Sequence, residues 1–484
     1  MIQHNRGITR RQILGGIGAA GLAGVAHPQT GGARGRWVCT TASAPWREQG
    51  AVTPGPIDAN LFGHDIMIDP TKARQTIDGF GGAFTEIGWG ALQKTSTAGR
   101  AQVMADLFGA EGCAFTICRT PIGGNDLSRR WYSYDEVDGD FDMAHFSVAN
   151  DDETLIPYIK AAQTVQPRLK LWASPWSPPT WMKRNHHYAM APAWPGQPSN
   201  GIKPDQVGIE GKDYFIQEER YFAAYARYFR RYVEEYSKVG IPVSMVAPQN
   251  EFNSAQPYPS CCWTPQGLAK FIAHLGPEMD KVGTDIFFGT LERPNAALLD
   301  AVLADRDATR YIKGVGVQWA GKGALHDIHK AHPDLPIWSS EQECGFGTND
   351  WHYARYIWRE MQTYFENGAR AWMYWDMVMP SNTHSTWGWP QNSMITVKDD
   401  GSLVRNHEYW LLRHFSQFVK PGAHYLPATS FSGYDNISAF ANPDGSIILV
   451  AHNDMAQPQP LRIILGDTQI NLTLPTDSFN TIII

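Results

Sequence analysis

No long run of basic residues occurs anywhere in this chain, and its formal net charge is −7. A phosphate-binding face needs a concentrated basic footprint, so nucleic acid is not an expected partner. Cysteine is scarce, with six residues at 39, 113, 118, 261, 262 and 344. Their spacing matches no zinc-ligand pattern, and pairing cannot be deduced from it. No uncharged apolar run beyond the N-terminus reaches membrane-spanning length, so no transmembrane segment is expected. Internal repeats are absent, and no cofactor is expected. Oligomeric state is left open.

What is abundant is tryptophan, at 18 residues in a chain of 484 that is 43% hydrophobic. That length and apolar content suit one large or two medium globular domains with a substantial core. Indoles also stack on the apolar faces of sugar rings, although core packing accounts for many of them.

The N-terminus reads as an address. Thr9-Arg10-Arg11-Gln12-Ile13-Leu14 precedes a short Gly/Ala-rich apolar stretch, and Gly24-Val25-Ala26 offers small residues for cleavage. Residues 1–26 are therefore expected to be a twin-arginine signal directing export to the periplasm or medium. Residues 27–56 are rich in Gly, Pro, Ala and Thr without periodicity, and are expected to be a disordered linker.

From Thr76 the pattern changes to alternation of strand and helix. Eight apolar runs follow in order: 76–85, 113–122, 169–174, 243–249, 286–291, 312–318, 337–340 and 369–375. Helical periodicity fills most gaps, most clearly over 98–108, 217–239, 265–282, 351–367 and 406–418. Eight strands alternating with helices imply an α/β fold, a (β/α)8 barrel over 76–420. After residue 421 short alternating runs are broken by turns such as Asn442-Pro443-Asp444-Gly445, which predicts an all-β sandwich over 421–484. A strand near 65–69, within the segment 57–75, is expected to join it, so both chain ends would build the small domain.

Unusual chemistry gathers where the barrel strands end. Strand four closes on Gln249-Asn250-Glu251 and strand seven on Ser340-Glu341, two carboxylates about ninety residues apart. All strand C-termini of a barrel open on one face, so distant carboxylates meet there, as a glycosidase requires. Strand one ends in a glycine-lined turn, Gly79-Phe80-Gly81-Gly82, without the layout of a dinucleotide loop. Strand three runs into Ala173-Ser174-Pro175-Trp176-Ser177-Pro178-Pro179-Thr180-Trp181, which cannot be helical and holds rigid indoles on a loop. Strand eight ends in Trp375-Asp376, before a loop with Trp387, Trp389 and Asn392. Glu343 lies two residues beyond Glu341, and strand periodicity alone does not choose between them.

The set GFGGAFTE, RTPIGGND, LWASPWSPPTWMK, APQNE, WSSEQECG and WPQNSM, spread over 76–396, resembles glycoside hydrolase family 30, the glucosylceramidase-related retaining β-glycosidases. The resemblance implies a barrel with an attached sandwich and a carbohydrate or glycoside substrate. It also implies Glu251 as acid/base, Glu341 as nucleophile and Asn250 as the partner of the sugar 2-hydroxyl. It places Asp126 on ring hydroxyls, Trp176 and Trp375 as pocket walls, Asn392 as a polar contact and Arg119 beside the nucleophile. Strand six departs from the glucosylceramidase pattern: Gln318-Trp319-Ala320 stands where those have His, Trp and Tyr. A neutral amide thus replaces an ionisable ring at the substrate site. A β-glucoside is the leading expectation, with β-xyloside and β-1,6-linked glucan or galactan as alternatives. The insert 252–260 after the acid/base would shape the leaving-group side. Two rival classes are a metal-dependent hydrolase using His326, His329 and His332, and a sugar-binding barrel without catalysis.

Overall fold

The computed structural model describes residues 35–58, 65–381, 385 and 388–484. The expected signal segment and Trp387 lie outside the described residues.

Eight parallel strands form the largest sheet: Gly79–Gly82, Ile117–Pro121, Lys170–Ser174, Met245–Val246, Asp285–Leu291, Ile312–Gln318, Ile337–Glu341 and Ala369–Tyr374. Each pairs with its sequence neighbour, and the last pairs with the first through Ala371 and Gly79. Hydrogen bonds from Thr116 N to Phe80 O and from Phe84 N to Arg119 O, each 2.9 Å, join the first strand to the second and close the ring. Helices such as Glu219–Lys238, Pro265–Asp280 and Trp351–Glu366 connect the strands, with Thr264 and Asp350 capping the last two. The expected (β/α)8 architecture is present.

Inward side chains fill the barrel. Ile117, Trp172, Met245, Phe287, Trp338 and Met373 form one buried cluster contributed by six strands. The large Trp172 indole fits because strand six is small where it meets it. A side chain at Gly316 would place a carbon 2.3 Å from the Trp172 ring. The segment expected to be a glycine-lined turn is instead barrel strand one. Glycine is needed there for close approach between strands, since a Cβ at Gly81 would lie 1.3 Å from the Ile117 carbonyl oxygen.

Both chain ends build the sandwich, and the expected linker is a correction. Arg36–Thr41 is a strand paired with Ser478–Ile483, with Val38 and Cys39 buried. It completes a six-stranded sheet with Arg47–Glu48, His424–Leu426, Ile437–Ala441 and Ile447–Asn453. Gly55–Pro56 and Ile66–Ile68 join Gln459–Leu465, Thr468–Leu474 and Ala428–Ser430 in the facing sheet. The composition of 36–56 hides this role because the strand is short and its only nearby partner among the described residues is the two-residue strand Arg47–Glu48, while its six-residue ladder is with the far C-terminal strand. Its stability comes from the ladder with the C-terminal strand and from burial between sheet and barrel. His414, on the helix His407–Ser416, fixes that junction: its ring nitrogens lie 2.8 Å from Thr481 Oγ1 and 2.9 Å from Thr40 Oγ1. The six thiols are all buried and free.

Candidate active site

Strands four and seven deliver Glu251 and Glu341 to the same end of the barrel, where one amide touches both. Gln318 Nε2, from the end of strand six, lies 3.3 Å from Glu251 Oε1 and 3.2 Å from Glu341 Oε2. Ser340 Oγ donates to Gln318 Oε1 at 2.9 Å, which orients the amide so that its nitrogen faces the carboxyls. Gln318 therefore occupies the position between the two acids.

Arg119, fully buried on strand two, holds the other side. Its Nη1 donates to Glu341 Oε2 at 2.8 Å, its Nη2 to Asn250 Oδ1 at 2.6 Å and its Nε to Ser174 Oγ at 3.0 Å. Trp176 covers the guanidinium at 4.7 Å and stacks on Trp375 at 5.4 Å with an interplanar angle of 27°. The cation is thus locked by three hydrogen bonds and an aromatic face, so its charge stays beside Glu341.

Asn250 Oδ1 also accepts from Thr290 Oγ1 at 3.0 Å, and that hydroxyl in turn accepts from Glu251 N at 2.9 Å. With its oxygen fixed, Asn250 keeps its Nδ2 donor unused among the described residues. Glu341 Oε1 receives the Trp319 indole N–H at 2.7 Å, and Glu251 Oε2 receives the Tyr258 hydroxyl at 3.0 Å.

Burial is the largest influence on both carboxyls and pushes both upward. Arg119 pulls Glu341 back most strongly, opposed by the charge of Glu251, with the Trp319 N–H lowering it further. Glu251 is drawn down first by neutral donors, Tyr258 and Gln318, and only then by more distant cations. The ion pair with Arg119 therefore favours charge on Glu341 more than on Glu251.

Glu343 is separated from this pair. Its carboxyl binds Lys322 and the Tyr356 hydroxyl at the rim, and among the described residues it shares no hydrogen-bond partner with Glu251. The geometry distinguishes two glutamates that periodicity left equivalent.

Asp126 is buried beside the pair and accepts from Gln391 Nε2 at 3.4 Å; burial pushes its carboxyl up to about 7. Asn392 is the expected residue that the structure does not bring to the carboxyls. Its Nδ2 donates to Glu408 at 2.8 Å and its Oδ1 accepts from Asn349 N at 3.2 Å, so it anchors the loop from behind. Its neighbour Gln391 faces Asp126 instead. The three histidines of the metal rival diverge: His332 pairs with Asp300 at 2.7 Å while His329 lies against Gly368. Among the described residues no group of three His, Cys, Asp or Glu could hold a metal ion.

Thr290, Tyr258, Trp319 and Gln391 were not singled out as site residues from the sequence. Thr290 and Trp319 sit at strand ends, a signal that was available. Backbone strain marks the same turns: Glu251, Trp319 and Asp376 have φ of 45°, 50° and 142° where strands four, six and eight give way to loops. Asp376 is fully buried, and neither carboxyl oxygen has a hydrogen-bonding partner among the described residues. Burial, then the charges of Asp126 and Glu341, pushes its carboxyl well up.

Comparison with known proteins agrees with this arrangement. Residues 77–419 match the glycosyl hydrolase family 30 TIM-barrel domain, and residues 428–482 match the beta sandwich domain of the same family. A putative glucosylceramidase 1 of Caenorhabditis elegans is 29% identical over 425 residues, 82% of this chain and 77% of that protein. An endo-1,6-beta-D-glucanase of Aspergillus fumigatus is 25% identical over 451 residues, 87% and 86% of the two chains. The crystal structure of SrfJ from Salmonella typhimurium superposes with a TM-score of 0.81 at 25% identity, covering 93% of this chain and 99% of that one. Among the described residues no helix is long and apolar enough to cross a membrane.

Proposed function

Because the chain belongs to glycosyl hydrolase family 30, we propose that it hydrolyses β-linked glycosides by double displacement with retention, using Glu341 as nucleophile and Glu251 as acid/base. The observation that carries this reading is the shared Gln318 nitrogen. Glu251 Oε1 and Glu341 Oε2 lie 3.3 and 3.2 Å from it, so their separation cannot exceed those two lengths laid end to end. That ceiling sits at the lower edge of the roughly 6.5–9.5 Å an inverting pair needs to admit water, and it includes the roughly 5–5.5 Å of a retaining pair.

In the first step a Glu341 oxygen attacks the anomeric carbon while the bond to the leaving oxygen breaks and takes the Glu251 proton. In the second, Glu251 removes a proton from water as that water attacks the same carbon, and the ester bond to Glu341 breaks. The Asn250 Nδ2, unused among the described residues, supplies a donor for the sugar 2-hydroxyl, a contact that tightens as positive charge develops on the ring. Asp126 binds ring hydroxyls, and Trp176 and Trp375 wall the sugar.

A β-glucoside is the leading substrate, as the glucosylceramidase relative suggests. A β-1,6-linked glucan is favoured as the second by the glucanase relative. Nitrophenyl β-glycosides of glucose, xylose and galactose, run beside oligosaccharides, test both. Turnover of one β-glycoside is expected; cleavage of α-glycosides alone, or binding without turnover, would contradict the reading. Export by the twin-arginine segment is part of the same proposal, and loss of export on replacing Arg10 and Arg11 with Lys tests it.

A further inference from the structure

The reading of Glu251 as acid/base fixes which part of the cleft meets the leaving group, because that carboxyl must reach the departing oxygen. A cavity of about 240 Å³ opens beside Glu251 and is lined by Gln256, Tyr258, Glu292, Arg293 and Trp194. Gln256 and Tyr258 come from the insert after strand four. Glu292 and Arg293 follow directly on strand five, which ends at Leu291, so they step onto the same face of the barrel.

Glu292 is nearly inaccessible, at 3% exposure; Arg293 Nη1 bonds one of its carboxyl oxygens, and the Ser254 hydroxyl is a further donor to the carboxyl. Its Oε1 makes no hydrogen bond among the described residues. A buried carboxyl oxygen without a donor is costly unless something arrives to supply one. Arg293 is positioned for a ligand too: its Nη2 donates to Glu210 at 2.7 Å and Ser254 at 3.3 Å, which pins the guanidinium at the cavity wall. Half-exposed Trp194 lies 6.3 Å from Trp389 across the mouth and offers an aromatic face to whatever leaves the cleft.

We propose that Glu292 and Arg293 form the leaving-group subsite and select a hydroxyl-rich, sugar-type leaving group over an alkyl or lipid one. An acceptor and the remaining N–H donors of a fixed guanidinium match neighbouring hydroxyls on one sugar, and an indole matches its apolar face. An alkyl chain in the same place would dehydrate the ion pair and return no hydrogen bond to Glu292 Oε1. Burial first, and the charge of Glu251 second, pushes the Glu292 carboxyl up to about 8, against the pull of Arg293 and of the Ser254 hydroxyl.

The test compares two substrates that share a glycone and have equally poor leaving groups: a β-linked disaccharide and the octyl β-glycoside. Both need the Glu251 proton, so the ratio of their kcat/KM values reads the subsite rather than the acid. The full-length enzyme is expected to prefer the disaccharide. Glu292→Gln and Arg293→Gln should each lower kcat/KM for the disaccharide roughly tenfold to a hundredfold relative to the octyl glycoside, the effect of losing one charged hydrogen bond. Trp194→Ala, at a half-exposed position, should move the ratio in the same direction and serves if either charge variant fails to fold. A ratio unchanged in all three, or an enzyme that prefers the octyl glycoside, overturns the subsite while leaving the hydrolase reading intact. Cleavage of neither substrate, nor of any aryl β-glycoside, overturns the hydrolase reading and the subsite with it.

Discussion

The Arg119 guanidinium donates to Glu341 Oε2 across 2.8 Å, with the arginine wholly buried and the glutamate nearly so. Removing the cation leaves an unpaired carboxylate in a low-dielectric site, so Arg119→Gln should cost about 3–5 kcal/mol of stability. It should also raise the Glu341 pKa, because the largest group that lowers it is gone. A carboxyl with a higher pKa becomes ionised only at higher pH, so the acidic limb of the kcat/KM profile should move upward. Arg119→Lys keeps the charge and should shift that limb less. An unmoved acidic limb in Arg119→Gln would sever the cation from nucleophile ionisation.

Glu251 should behave as a proton donor whose importance scales with the leaving group. Glu251→Ala is expected to lower kcat/KM on oligosaccharides roughly 10²–10⁴-fold, the usual worth of general acid catalysis. Formation of the glycosyl-enzyme from dinitrophenyl glycosides, which need little protonation, should be largely spared. A pre-steady-state burst with such a substrate reads this directly, and equal losses on both substrate types would argue against the role.

His414 gives a prediction about stability rather than catalysis. Thr481 Oγ1 donates to the His414 carbonyl at 2.8 Å, so it accepts from Nδ1, and the Thr40 hydroxyl donates to Nε2. The ring is held neutral, and burial pushes its pKa down to about 3. An unfolded histidine titrates near 6.5, so above that pH both states are neutral and the stability is fully present. As pH falls from about 6.5 towards 3, only the unfolded chain takes up the proton, and stability drops by up to about 1.4 kcal/mol per pH unit. Urea unfolding at pH 7 and pH 4.5 should therefore show a smaller difference in His414→Gln than in the parent. The same difference in both proteins would mean that this ring is not the acid-sensitive link.

Much of the architecture was legible because it rests on pattern. All eight barrel strands overlap runs with the apolar continuity of a buried parallel strand, and Glu251 and Glu341 were found by asking what stands at their ends. Arg36–Thr41 was not legible, since its main partner strand is more than four hundred residues away and its own composition resembles a linker. Asn392 and Gln391 show the limit for loops, where neighbouring residues turn to opposite sides and periodicity does not say which faces the site. Glu292 went unremarked although it follows strand five as Glu251 follows strand four. Only the unsatisfied oxygen, which sequence does not display, draws attention to it.

The central claim is that Glu341 forms a covalent bond to the sugar while Glu343 remains engaged with Lys322. Glu341→Ala should reduce activity by roughly four to six orders of magnitude, and added azide should restore part of it with inverted product. The most direct measurement is mass spectrometry of peptides from enzyme inactivated with a 2-deoxy-2-fluoro β-glycoside of the preferred sugar. The account predicts a single adduct on Glu341; an adduct on Glu343, or turnover-dependent inactivation without any adduct, would contradict it.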